Sequence, residues 1–250
     1  MENEGRERRI FLKGVVAGGT VAVGSVVPQA SQAQAQQTGA TATATTTATT
    51  TTPTTDTPLG YTYLSPDEGS FIEAVVDHMI PADRFTPKGT DLGVHIYIDR
   101  ALSSGWGKGA RLYRQGPWTL GSANQGYQLP LTPAELYRNA IAACNAHCVK
   151  QYGKPFDKLV AEQREAFLIG LQSGKVTLEN GPPARTFFGM LYQNVMEGMF
   201  SDPIYGGNRD KAVWKMIGFP GVMANNAQNI RSYNDGRRFP AKPISIADMS

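Results

Sequence analysis

Apolar residues recur along this chain with a helical period. Phe71, Ile72, Val75, Val76, Met79 and Ile80 fall three and four positions apart, the spacing that lines one face of an α-helix. Just ahead of them, Ser65-Pro66-Asp67-Glu68 is a start signal. It offers a hydroxyl at the N-cap, a proline at the first helical position and a glutamate that reaches back from the third. Pro81 ends this helix. A second helix is predicted over residues 92–102, with Ile96, Ile98 and Leu102 inward and Ser103-Ser104-Gly105 at its end. Thr132-Pro133-Ala134-Glu135 repeats the start signal and predicts a helix to Tyr152, stopped by Gly153. Residues 156–170 give another, with Leu159, Phe167 and Leu168 on one face. Residues 183–200 form the most apolar helix, carrying Phe187, Phe188, Leu191 and Val195, and belong at the centre. Asn208 caps a last helix through Trp214 and Ile217. Strong two-residue alternation is missing. The fold class is therefore all-α: an irregular multi-helix domain with long ordered loops and an extended C-terminal tail. Residues 105–130 are rich in glycine and aromatics, and predict a long ordered loop with one short helix near residues 111–115.

Upstream of residue 59 the pattern changes. Arg8-Arg9-Ile10-Phe11-Leu12-Lys13 is a twin-arginine pattern, in which Arg8, Arg9, Phe11 and Leu12 carry the export signal. Fourteen weakly apolar residues, 14–27, follow it; Pro28 closes them and Ala33-Gln34-Ala35 offers a cleavage site. Thirteen of the twenty residues 38–57 are threonine, which leaves too little apolar surface to offset the entropy of ordering. The expected organisation is a signal peptide at 1–35, a Thr/Ala-rich disordered linker at 36–58 and a helical domain at 59–250. The twin-arginine route carries folded cargo, so the chain is expected in the periplasm.

The net charge of +3, with no run of five like charges, lacks the clustered basic face of a nucleic-acid binder. No apolar run approaches the ~20 residues of a membrane span, so membrane association must come through partners. Two cysteines, Cys144 and Cys148, flank His147 on the predicted 133–152 helix. Positions i, i+3 and i+4 share a helix face. Four readings stay open for the pair: small residues on a core face, a disulfide from one of them to a partner chain, a Cys144–Cys148 disulfide near the distance limit for an i,i+4 pair, and part of a zinc site. Other chemistry is thin. Gly105-Trp106-Gly107-Lys108-Gly109 lacks the G-K-[ST] of a phosphate loop. Neither a G-x-S-x-G elbow nor paired E-x-x-H motifs occur. Asp77 and His78 are adjacent, but neighbours on a helix point ~100° apart. No catalytic, cofactor-binding or metal residue is assigned.

Several segments nonetheless resemble a known family. Leu64-Ser65-Pro66-Asp67-Glu68, Val76-Asp77-His78-Met79-Ile80-Pro81-Ala82-Asp83 and Tyr113-Arg114-Gln115-Gly116-Pro117-Trp118 carry the likeness. So does Phe200-Ser201-Asp202-Pro203-Ile204-Tyr205-Gly206-Gly207-Asn208-Arg209-Asp210, followed by Trp214 to Gly221. Together they resemble subunit 3, the small subunit, of membrane-bound gluconate 2-dehydrogenase. The resemblance implies a complex of three parts: a large FAD-binding flavoprotein of the glucose–methanol–choline type, a multihaem cytochrome c, and this chain. It implies no catalytic role for the small subunit, which carries the export signal for the twin-arginine translocase and stabilises the flavoprotein. FAD and haem c are expected on the partners. Contact with the flavoprotein is expected through Tyr205, Asn208, Arg209 and Asp210, and through Arg114 and Trp118. An independent periplasmic zinc enzyme and a helical scaffold or binding protein are the rival readings.

Overall fold

The computed structural model describes residues 60–119, 121–122, 125–222, 230–237 and 242–249. The expected signal peptide with Arg8, Arg9, Phe11 and Leu12, and the linker, lie outside them. Among the described residues seven α-helices follow in chain order: α1 (Pro66–Met79), α2 (Val94–Ser103), α3 (Pro133–Tyr152), α4 (Ala161–Ser173), α5 (Ala184–Phe200), α6 (Ala212–Ile217) and α7 (Ile230–Asn234). Single 3-10 turns occupy Phe156–Lys158, Pro203–Tyr205, Arg209–Lys211 and Ile246–Met249. Among the described residues the only β pairing is an isolated parallel bridge between Gly221 and Ile244. The class is all-α.

Both start signals work as the sequence predicts. Ser65 Oγ accepts from the Glu68 amide at 3.3 Å, while the Ser65 amide donates to the Glu68 carboxylate at 2.8 Å. Thr132 and Glu135 repeat the exchange at 3.2 and 2.7 Å. Those bonds from Thr132 hold the Glu135 carboxyl below its ordinary range. Gly153 ends α3 in the left-handed region, at φ 73°, which glycine alone enters without strain.

Helices α1 and α5 each pack against α2, α3 and α4, so the core lies between them. Phe71, Phe156 and Phe167 pack in series as tilted ring pairs, with centroids 4.8 and 5.7 Å apart. Tyr137 meets Phe187 edge-on at 5.5 Å, and its hydroxyl donates to Asn194 Oδ1 at 2.7 Å. A buried phenol needs such an acceptor.

Two expectations are corrected. Residues 156–170 are not one helix: a 3-10 turn precedes α4, and Leu159 and Val160 between them are extended. Tertiary bonds fix the break, because Asn145 Oδ1 takes the Phe156 amide and the Arg164 guanidinium donates to the Asp157 carbonyl. Nor is there a helix near residues 111–115. The hydrogen-bonded turns lie earlier, over residues 104–112, where the Lys108, Gly109 and Ala110 amides bond back to Ser104, Trp106 and Gly105. The tail also folds back more than expected: the Ile246 amide donates to Asp202 Oδ2 at 2.9 Å.

One bond set was not foreseen. Asp99, on the buried side of α2 and only 2% exposed, accepts from the backbone amides of Thr62, Tyr63 and Leu64 at 2.7 to 2.9 Å. It fixes the chain's entry into α1. Asp99→Ala strands those three amides and is expected to lower the unfolding free energy by about 2–4 kcal/mol. Urea denaturation reads the change, against a loss below about 1 kcal/mol for the exposed first-turn Asp67→Ala. Equal losses would mean that the 62–64 amides are satisfied elsewhere.

Candidate functional site

The segment after α5 is held by bonds to several elements at once. Asp202 caps the Pro203–Tyr205 turn through the Ile204 amide at 3.0 Å. Gly207 follows, pressed so tightly onto α5 that a Cβ there would lie 2.0 Å from the Gly198 carbonyl oxygen. Asn208 is fully buried. Its Nδ2 donates to the Ser201 carbonyl at 3.0 Å, and its Oδ1 accepts from the Val213 amide in the first turn of α6 at 2.9 Å. The Arg209 amide donates to the Leu92 carbonyl at 3.0 Å, which ties the turn to the approach to α2. There Gly93 leaves just enough room, since a Cβ would meet the Gly206 oxygen at 2.3 Å.

Three non-glycine residues in this turn have positive φ: Asn208 at 46°, Asp210 at 57° and Lys211 at 56°. Each such residue costs on the order of 1 kcal/mol. Asn and Asp enter the region most readily. Lys211 is held there by its amide bond to the Asn208 carbonyl and by an ion pair to Asp248 at 2.6 Å. That pair and the Ser245 amide pull the Asp248 carboxyl down to about 2. Of the four expected contact residues here, Tyr205, Arg209 and Asp210 are exposed and Asn208 is interior.

Arg114 and Trp118 lie elsewhere. The 200–211 turn runs along α2, from the Leu92 carbonyl ahead of it to Arg100, which donates to the Ile204 carbonyl, whereas residues 111–118 follow the C-terminal end of that helix in the chain. Trp118 is 41% exposed. Arg114 faces Glu135 at 3.7 Å with both side chains about half exposed, a geometry worth little energy. Beside them is an open cleft of about 340 Å³ whose walls include Tyr113, Trp118, Tyr127 and Gln128. Its shape is set from within: Tyr127 donates to the Leu131 carbonyl, and Gln128 accepts from the Gly121 amide.

Cys144 and Cys148 are both fully buried as free thiols. Burial pushes the Cys148 thiol up to about 12 and raises the Cys144 thiol well above its ordinary value. A bond from either to a partner chain therefore requires α3 to leave its seat. His147 lies against the Phe167 ring, with centroids 5.6 Å apart. Among the described residues no three of His, Cys, Asp and Glu converge as a metal-binding group. Asp77 and His78 part company as their spacing implies. Asp77 accepts from Lys88 and the Thr90 amide, which offset its burial and hold its carboxyl low. His78 pairs with Glu165 at 2.6 Å.

Sequence reasoning missed a polar cluster between α1 and α2. Tyr61 donates to Glu73, and its ring meets His95 edge-on at 6.1 Å. His95 Nδ1 is buried without a hydrogen-bond partner among the described residues. Burial lowers the His95 pKa, with the Arg209 charge adding to the effect, while Glu73, Asp77 and Asp99 pull the other way.

A family model, gluconate 2-dehydrogenase subunit 3, matches residues 66–221. The chain belongs to that subunit 3 family. No curated protein and no solved structure matches it. Within the subunit 3 region, which runs from the first residue of α1 to the bridge at Gly221, two of the resembling segments fix backbone. Ser65 and Glu68 cap α1 from its edge, and Asp202, Gly207 and Asn208 pin the turn after α5. Asp99 had a signal of its own: a carboxylate one position off the Val94, Ile98, Leu102 stripe of α2. Its partners, more than thirty residues upstream, had none.

Two measurements check these placements. His95 is held neutral in this subunit 3 fold, so stability should be full above about pH 6.5, the ordinary histidine value. It should fall as the pH drops below that, because the unfolded chain takes up a proton that the folded chain resists. His95→Gln should flatten the slope of melting temperature against pH between 7 and 5, and an unchanged slope would assign it to another group. Secondly, Cys144 and Cys148 should resist a thiol reagent such as DTNB at pH 8 until the chain opens. Fast stoichiometric labelling of the native chain would contradict their burial.

Proposed function

We propose that this chain is the non-catalytic small subunit of a periplasmic, membrane-bound, FAD-dependent sugar or sugar-acid dehydrogenase. It carries the twin-arginine signal for co-export and stabilises the flavoprotein subunit of glucose–methanol–choline type. FAD sits on that partner, and haem c on a multihaem cytochrome c subunit that completes the complex. The observation that carries this reading is the subunit 3 match over residues 66–221. Further support comes from how the polar side chains are spent. Asp99, Asp202 and Asn208 hold backbone, and Asp77, His78 and Glu165 hold one another or neighbouring loops. No described helix is long and apolar enough to cross a membrane, and in this reading the partners hold the complex at the membrane.

The export role makes a direct prediction. Arg8→Lys with Arg9→Lys should leave both this chain and the flavoprotein in the cytoplasm, with periplasmic dehydrogenase activity lost. Cell fractionation with blots for both chains reads the outcome. Flavoprotein that still reaches the periplasm without this chain would sink the co-export role.

A further inference from the structure

Large apolar side chains are exposed unevenly over the described surface. Phe200, Ile204, Tyr205, Ile217 and Phe219 are all between 38% and 55% exposed, and all lie within the twenty residues from the end of α5. The tail brings Ile246, 40% exposed, to the same end through its amide bond to Asp202. Trp214 knits the group from below: its Nε1 donates to the Phe200 carbonyl, and its ring meets Phe219 at 5.1 Å. Single exposed apolar residues are ordinary, but a concentration of them marks an interaction surface.

The charges around this end are lopsided. Arg209 and Lys215 are exposed, and neither has an ion-pair partner among the described residues. Arg100 lies alongside, donating to the Ile204 carbonyl. The carboxylates are mostly occupied. Asp202 is buried on two amides, Asp248 holds Lys211, and Glu197 accepts from Tyr97, Gln193 and Asn194. Asp210 is the one left exposed and without an ion pair in the turn. The balance is a basic edge on an apolar patch, complementary to an apolar ridge edged with carboxylates. The backbone beneath is rigid and strained at Asn208, Asp210 and Lys211. Strain of this kind gathers at sites where a fixed shape serves recognition, and a preformed surface costs little to order on binding.

We propose that this end, built from residues 200–219 with Ile246, is the seat of the flavoprotein subunit. The flavoprotein face that meets it is apolar with an acidic rim. The inference rests on the reading of the chain as a dehydrogenase subunit, and adds where on its surface the partner sits.

The test co-expresses the full chain with the flavoprotein, captures the chain by a tag, and reads flavin absorbance per captured chain. Ile204→Glu with Ile217→Glu should cut co-captured flavin at least about tenfold, the effect of losing central interface residues. The melting temperature of the variant alone should stay close to wild type, since both side chains are exposed. Arg209→Glu should weaken capture, and added salt should weaken wild-type capture. The loop variant Arg114→Ala with Trp118→Ala should retain flavin. A photo-crosslinking residue at position 217 should join the flavoprotein, while one at position 169 on α4 should not; this arm stands even if the double variant folds poorly. Full capture by Ile204→Glu with Ile217→Glu, together with loss in the loop variant, would move the seat to the 111–118 loop. A wild-type chain that elutes as its own dimer, split by Ile217→Glu, would make a second copy the occupant. A wild-type chain that captures no flavin and forms no dimer would instead overturn the subunit reading itself.

Discussion

With no sheet among the described residues, the buried amides between helices bond within turns or to side chains, and a handful of buried polar residues takes those that would otherwise lack a partner. Asp99 takes three amides ahead of α1. Asp202 takes one amide in the turn after α5 and one in the tail. Asn208 joins a carbonyl before that turn to an amide after it. Stranding any of these groups costs more than making the bond gains. Each side chain therefore fixes one irregular path, and the helices pack in the positions those paths allow. The large buried residues, such as Phe71, Tyr137 and Phe187, supply cohesion, while the polar ones decide connectivity.

That division explains how far the sequence could be read. Helix limits and the apolar stripes are local, so the two capping boxes, the stop at Gly153 and the central place of α5 were all visible in residue order. Asn208 was expected to cap the helix after it, but Lys211 holds the N-cap position of α6, and Asn208 instead reaches the Val213 amide from five residues ahead. What stayed hidden was long-range or aperiodic. Asp99 reads as a helix-surface carboxylate until the 62–64 segment is folded against it. The 104–112 turns carry glycine at every other position between 105 and 109, with no period to place them, so the short helix was expected in the wrong stretch. The break before α4 depends on Asn145 and Arg164, neither of which marks a boundary in the order of residues.

The same contrast separates the two regions in which partner contacts were expected. The 111–118 loop is shaped by bonds among its own neighbours and stands beside an open cleft. The turn after α5 is shaped by bonds to α2, α5, α6 and the tail at once, and its exposed side chains are mainly apolar. A surface held by four elements keeps its form whatever covers it. The buried cysteines point the same way: their sulfur is spent on packing α3, and the faces of the domain are left to carbon and to the basic edge.

The left-handed residues of the 208–211 turn have one further consequence. Their strain is met when the domain folds, by bonds internal to the chain, and no partner is needed to offset it. The surface proposed for recognition is consequently complete before any encounter. On the proposed seat of the flavoprotein, the small chain then folds first and acts as the template, and the rate of pairing is set by diffusion and orientation rather than by a folding step at the contact.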